Sequence, residues 1–444
     1  MADPLADPLL YARTIHFAAT MLVAGVVLFA VCVAAPAWRG AASNGAVAIK
    51  VQARLAVIAW ISLALAAFSG AAWLVLTAAA MSDLSAPQVF GDGVLWTVLS
   101  QTVFGRDWLI RLVLACALAA TLPSLLTQQN HKTRWIETAA AVLAAAFAGA
   151  LAWSGHAAGG LGGEAILHPA ADVLHLIAAA AWVGALVPLI VLFAAAGADD
   201  ASLAMARTAT TRFSILGIVS VGTLLATGIV NTYYLAGSVP ALLHTDYGRL
   251  LLIKIALFLA MVAIAAVNRL RLTPQLLQQA SIAASRDALR QLRRNAATEA
   301  LAGAIVIAIV AALGTMAPAI HAAHQHPTYG PVPADAAFVH IHLTEGMADV
   351  TIRPGRTGLA RATIRLWNED FEALNARQVS VTMTAPAAAS QPTTRPARQG
   401  RDGAWQVDGI ALSEPGNWTI SVDVVLDQTK RLTLTAPIVI EPGQ

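Results

Sequence analysis

The sequence predicts an α-helical polytopic membrane bundle of eight transmembrane helices, followed by an all-β immunoglobulin-like sandwich. Three observations carry this. The chain is 57% hydrophobic and 12% charged, whereas a soluble domain carries about 25% charged residues. Eight stretches stay apolar over the roughly 20 residues that a spanning helix needs. Beyond about residue 318 the pattern changes to short runs that alternate apolar and polar residues, the period of a half-buried strand.

In chain order the expected spans are about 11–36, 52–80, 107–127, 134–155, 169–196, 212–236, 248–271 and 297–317. Basic residues orient them. Loop 37–51 carries Arg39 and Lys50, loop 128–134 Lys132 and Arg134, and loop 197–212 Arg207 and Arg212. Loop 269–296 carries Arg269, Arg271, Arg286, Arg290, Arg293 and Arg294. The alternate loops 81–105, 156–168 and 237–247 contain no Lys or Arg. The positive-inside rule makes the first set cytoplasmic, which leaves both termini outside. The opening MADPLADPLL is acidic rather than basic, so no cleavable signal peptide is expected.

The expected domains are 1–317 (bundle), 318–336 (a His-rich tether) and 337–444 (sandwich). FVHIHL, ADVTI, ARATIRLW, QVSVTMT, AWQVDGI, NWTISVDVVL and RLTLTAPIVI read as seven short strands punctuated by Gly, Pro, Asn and Asp. Their number and spacing suit an immunoglobulin-like sandwich. Residues 385–400 read as a long mobile loop. The two cysteines, Cys32 and Cys116, lie in apolar runs and offer neither a disulfide framework nor a CxxC pair. No GxxxxGK[ST] loop is present, which argues against an ATP-driven pump. The chain is expected not to be an enzyme, and no nucleic-acid partner is expected.

Histidine carries the chemical signal. On this topology ten of the eleven histidines fall on or near the outer face, His131 being the exception. Neutral imidazole suits copper, zinc and nickel, and methionine thioether favours Cu(I). His16 and Met21 lie in span 1, and Met316 lies at the end of span 8. His156 closes span 4, just after Trp153. His168, Asp172 and His175 are spaced i, i+4, i+7 on span 5, hence on one helix face, with Trp182 seven residues further on. Either Asp172 is a ligand, or it fixes a histidine tautomer, or it joins a structural hydrogen bond between helices. Arg13, Arg111 and Lys254 lie in the outer halves of their spans, and Asp172 is a candidate ion-pair partner for Arg111 or Lys254. Thr227, Asn231 and Tyr234 form a second polar stripe, on span 6, of the kind that glues helices by hydrogen bonds. His321, His324 and His326 lie in the tether. In FVHIHL, His340 and His342 share one strand face, opposite Val339, Ile341 and Leu343.

These residues also carry a resemblance. RTIHFAATMLVAG, WSGHA, DVLHLIAAAAWVGAL, RFS, TGIVNTYY and TDYGRLLLIKIALFLAMVAIAAVNR make the membrane portion resemble the bacterial copper resistance protein D (CopD) family. VHIHLTEGMADVTIRPGRTGLARATIRLW and GAWQVDGIALSEPGNWTISVDV are similar to the β-sandwich fused to such proteins, and more distantly to CopC-type sandwiches. The resemblance implies a bacterial inner-membrane protein with periplasmic termini. It implies copper, as Cu(I) or Cu(II), taken up in support of resistance or homeostasis. It also makes a periplasmic copper chaperone a candidate partner. His16, Met21, His156, Asp172, His175 and Met316 are the candidate bundle ligands, with Trp153, His168, Trp182, Asn231 and Lys254 supporting them. The histidines at 321, 324, 326, 340 and 342 are candidates for outer capture. Two other classes stay open. One is a membrane redox protein whose His16, His156 and His175 ligate haem b. The other is a scaffold that delivers copper to an oxidase without transporting it.

Overall fold

The computed structural model describes residues 7–40, 46–82, 84–91, 93–127, 134–154, 164–196, 199–236, 239–278, 281–316, 333, 335–343, 346–367, 373–385, 392–400, 402–426 and 431–443. Two compact units result, Met1–Ala323 and His324–Gln444.

Among the described residues, the first unit holds eight helices long and apolar enough to cross a membrane. They are span 1 (Pro8–Trp38), span 2 (Ala46–Ser82), span 3 (Val103–Leu125), span 4 (Arg134–Trp153), span 5 (Leu167–Ala195), span 6 (Asp200–Leu235), span 7 (Asp246–Leu277) and span 8 (Ile282–Leu313). Every apolar window of the sequence meets one of them. Two spans start earlier than hydropathy suggests, so most of the stretches expected as loops 197–212 and 269–296 are helical. The reason is that polarity ends contact with lipid without ending a helix. Termination needs a cap or a breaker. Span 8 begins where Ser281 Oγ accepts the Ala284 amide at 3.0 Å, and Asp199 likewise accepts the Ser202 amide at 2.7 Å before span 6. Stretch 81–105 also folds, into two short helices, Ala86–Gly91 and Val94–Gln101. They bury Val89 and Val98 against Leu74 and Ala78.

Spans 1 and 5 are the most enclosed of the eight. They cross at a contact between backbones. A Cβ on Gly25 would lie 2.1 Å from the Gly184 carbonyl carbon, and one on Gly184 would lie 2.1 Å from the Met21 carbonyl oxygen. Only hydrogen fits at either position. Gly184 ends a π turn, Ala180–Gly184. Pro188, four residues on, has no N–H to give the Gly184 carbonyl, so the α-ladder is already interrupted there. Further π turns occur at Ala30–Ala34 and Asn268–Leu272.

The second unit is a sandwich of antiparallel sheets. Its strands are β1 (Ala337–Leu343), β2 (Gly346–Arg353), β3 (Gly358–Trp367), β4 (Gln378–Thr384), β5 (Thr393–Pro396), β6 (Arg398–Gln399), β7 (Trp405–Leu412), β8 (Gly416–Val425) and β9 (Arg431–Ile440). The sheet orders are β1-β2-β3-β7-β6 and β5-β4-β8-β9. Alternate residues of both sheets, among them Ile341, Val350, Ile364, Val381, Ile420 and Leu434, form one apolar core. All seven expected strands are present. The expected loop 385–400 needs correction, because β5 and β6 lie within it. β5 is exposed at all four residues, so it has no apolar alternation to read from sequence.

Candidate metal site

The two polar stripes of spans 5 and 6 face each other in antiparallel register. His168 stacks on Tyr234, with ring centroids 4.9 Å apart. Asn231 Nδ2 donates to Asp172 Oδ1 at 3.1 Å. His175 Nδ1 lies 2.9 Å from Thr227 Oγ1. Matching i, i+4, i+7 spacings on both helices make these rungs possible, since such residues share one face.

Proton bookkeeping sets what the cluster can bind. The Thr227 hydroxyl donates to the Thr223 carbonyl at 2.6 Å, so its oxygen accepts from His175 Nδ1–H. That fixes the tautomer and leaves Nε2 with its lone pair. No described residue donates to that lone pair. Asn231 Oδ1 is buried without a hydrogen-bond partner among the described residues, a costly state for an amide oxygen. Lys254 lies within electrostatic reach of Asp172 and His175, yet it closes no ion pair with Asp172. A carboxylate, an amide oxygen and an imidazole nitrogen thus stand on one helix interface, each able to accept. Lys254 supplies positive charge nearby; what the set lacks among the described residues is a direct partner at the imidazole Nε2 and the amide oxygen, and its N and O donors suit a borderline transition metal.

The second cluster surrounds His16 and has the opposite character. His16 Nδ1–H donates to the Ala66 carbonyl at 2.9 Å, and Nε2 accepts from Arg111 Nη2. Both ring nitrogens are therefore occupied. Trp73 packs on the imidazole with centroids 5.5 Å apart. The same indole carries the guanidinium of Arg13 at 5.1 Å and that of Arg111 at 5.7 Å. Asp107 sits 3.9 Å from Arg111. Two buried guanidiniums against one carboxylate leave the cluster positive, and Arg111 is committed to it rather than to Asp172. A metal or haem iron would have to displace Arg111 to reach His16.

The remaining candidates scatter. Met21 is buried in the main bundle core. Met316 packs with Tyr247, Leu251 and Leu313. Trp182 is fully buried, edge-on to Phe258 at 6.1 Å, and Trp153 is about half exposed. His156, His321, His324 and His326 lie outside the described residues, as does the side chain of His342. In the sandwich, His340 Nδ1 bonds Asp349 Oδ1 at 2.6 Å. Trp367 Nε1 donates to the other carboxylate oxygen at 3.3 Å. The bond to Asp349 holds the His340 imidazole above its ordinary value. Among the described residues, no three His, Cys, Asp or Glu side chains gather as a metal cage. The span 5–6 set reaches three donors only by counting the Asn231 amide. Asp107 and Glu299 belong to no spacing pattern; a lone carboxylate inside an apolar span is the signal for both.

Fold and site together define a polytopic membrane protein with an internal N and O donor set and a fused β-sandwich. The chain belongs to the copper resistance protein D family. The profile "Copper resistance protein D-like, N-terminal domain" matches residues 1–166, and "Copper resistance protein D" matches residues 207–313. The chain is 29% identical over 324 residues to Copper resistance protein D of Pseudomonas syringae pv. tomato, covering 72% of this chain and 99% of that protein. It is 32% identical over 310 residues to Inner membrane protein YebZ of Escherichia coli, covering 69% and 97%. It is 26% identical over 343 residues to Copper transport protein CutJ of Bacillus subtilis, covering 75% of this chain and 58% of that one. The chain is thus a multi-pass, copper-related membrane protein.

Proposed function

We propose that this protein carries copper inward across the bacterial inner membrane, and that Asp172, Asn231 and His175 hold the ion within the bundle. The observation that carries the reading is the unfilled acceptor set between spans 5 and 6. Among the described residues Asn231 Oδ1 is buried without a partner, and the Thr227 hydroxyl aims the His175 tautomer so that Nε2 is left to bind. Copper is the substrate here, supported by the family and by a relative whose name is copper transport protein. His16 serves instead as the acceptor that holds Arg111.

In this reading the arginine-rich stretch 269–294 is cytoplasmic, as the positive-inside rule favours, and both termini are periplasmic. The histidines at 321, 324, 326, 340 and 342 then capture copper outside, from a periplasmic chaperone or from solution, and pass it to His156 and the span 5–6 site. The test is copper accumulation by cells carrying the chain with Asp172→Asn and His175→Ala together. Accumulation should fall to that of cells without the protein, at equal protein level in the membrane. Unchanged accumulation would overturn the reading.

A further inference from the structure

A second polar centre lies towards the opposite end of the bundle. Spans 5, 6, 7 and 8 line a half-open cavity of about 400 Å³. Its walls are mostly apolar, with Leu189, Phe213 and Val262 among them. One carboxylate, that of Glu299 on span 8, lines it and is only 2% exposed. Asn268, the first residue of the span 7 π turn, donates to Glu299 Oε1 at 2.8 Å. Asn295 Nδ2 donates in turn to Asn268 Oδ1 at 2.6 Å. Two amides thus hold Glu299 in one orientation, and no described cation pairs with it.

The other groups around the cavity are few. Span 5 contributes Trp182, Leu186 and apolar neighbours, and span 6 contributes the hydroxyls of Thr210 and Ser214. Span 7 contributes Asn268 and Arg269, the charged group besides Glu299 in the lining. Arg269 Nη1 donates to Ser214 Oγ at 2.5 Å. Span 1 packs on span 8 but puts no residue into the lining.

A carboxylate in such a chamber is neutral with a proton, or charged with a cation beside it. Copper would find one carboxylate and two amides, and no second His, Cys, Asp or Glu completes a cage. A proton needs only the one oxygen. Buried intramembrane carboxylates are the usual carriers in proton relays. Position supplies the link to the metal site. Trp182, two helical turns beyond His175, forms part of the cavity wall, so about 10 Å of span 5 separates the cavity from the last span 5–6 rung.

We propose that Glu299 is a proton-exchange site that makes ion movement through this bundle proton-linked. As a cation arrives, the Glu299 O–H bond breaks, the proton leaves towards the side from which the cation came, and the cation balances the carboxylate charge. Reprotonation from the opposite side, through the Arg269 end of the cavity, releases that cation there. The coupling rests on the transport reading above; proton exchange by Glu299 does not.

Two measurements on the full-length protein separate these. In vesicles with a pH dye inside, an imposed pH difference should shift copper distribution about tenfold per unit for one proton per ion. Glu299→Gln should lose both that shift and the dye signal. Glu299→Asp should keep part of each. A Glu299→Gln protein that still moves protons with copper overturns the proposal. Infrared difference spectra of purified protein report the protonated carboxyl directly. A band that titrates and vanishes in Glu299→Gln supports exchange, even if parent vesicles move no copper, in which case transport alone fails. Absence of any such titrating band overturns the proposal.

Discussion

His16 and His175 are both imidazoles inside membrane spans, and the protein treats them oppositely. His16 has given away both ring nitrogens, to the Ala66 carbonyl and to Arg111. It sits among two guanidiniums and one carboxylate. His175 spends one nitrogen on a hydroxyl that is itself committed to the Thr223 carbonyl, and it keeps the other. Its neighbours are a carboxylate, an amide oxygen with no partner among the described residues, and, within electrostatic reach, the Lys254 ammonium. A metal cation is repelled by the first setting and completed by the second. Histidine at membrane depth therefore does not by itself make a metal site; the protons and charges of its neighbours do.

Four substitutions break or sharpen that contrast. The largest effect belongs to Asp172→Asn with His175→Ala, which should lower copper affinity of the purified protein on the order of 100-fold or more, read by equilibrium metal titration. Thr227→Val removes the hydroxyl that orients His175 while keeping its volume, and should cost about tenfold, since groups that orient a ligand are typically worth 10–100-fold. His16→Ala should leave copper affinity within about twofold. Its cost is stability, about 1–3 kcal/mol for a buried Arg111 donor left without its acceptor, read as earlier thermal unfolding in detergent. A copper loss in His16→Ala as large as that of the double variant would reverse the assignment of the two clusters.

The smallest effect lies in the sandwich. Asp349 raises the His340 value, first through their hydrogen bond. The pair's contribution to stability is then fully present below the unfolded imidazole value of about 6.5. It fades as pH rises through the higher folded value. Amide exchange in β1 and β2 of the full-length protein, corrected for its intrinsic pH dependence, should quicken across that window. His340→Gln should abolish the change. Copper at His340 would bind Nε2 of the neutral ring and leave Nδ1–H donating to Asp349.

The membrane spans were legible because hydropathy over some 20 residues is a direct cost of transfer into lipid. The strands with one wet face and one dry face were legible because alternation reports that asymmetry. β5, wet at every residue, carried no such mark. The polar extensions of spans 6 and 8 escape a hydropathy reading because helix continuation in water leaves no hydropathy trace.

The site divided along the same line. Spacing alone placed His168, Asp172 and His175 on one face of span 5, and Thr227, Asn231 and Tyr234 on one face of span 6. Periodicity is a property of a single helix, so the chain itself determined both stripes, together with the charge asymmetry of the loops. Which stripe meets which is a property of packing. Tertiary structure alone decided that these two stripes pair with each other, that Arg111 belongs to His16, and that Gly25 and Gly184 bring two backbones into contact. It alone placed Glu299 in a cavity. Pair contacts between distant segments depend on which faces are left to bury against each other, and no window of one helix contains that information.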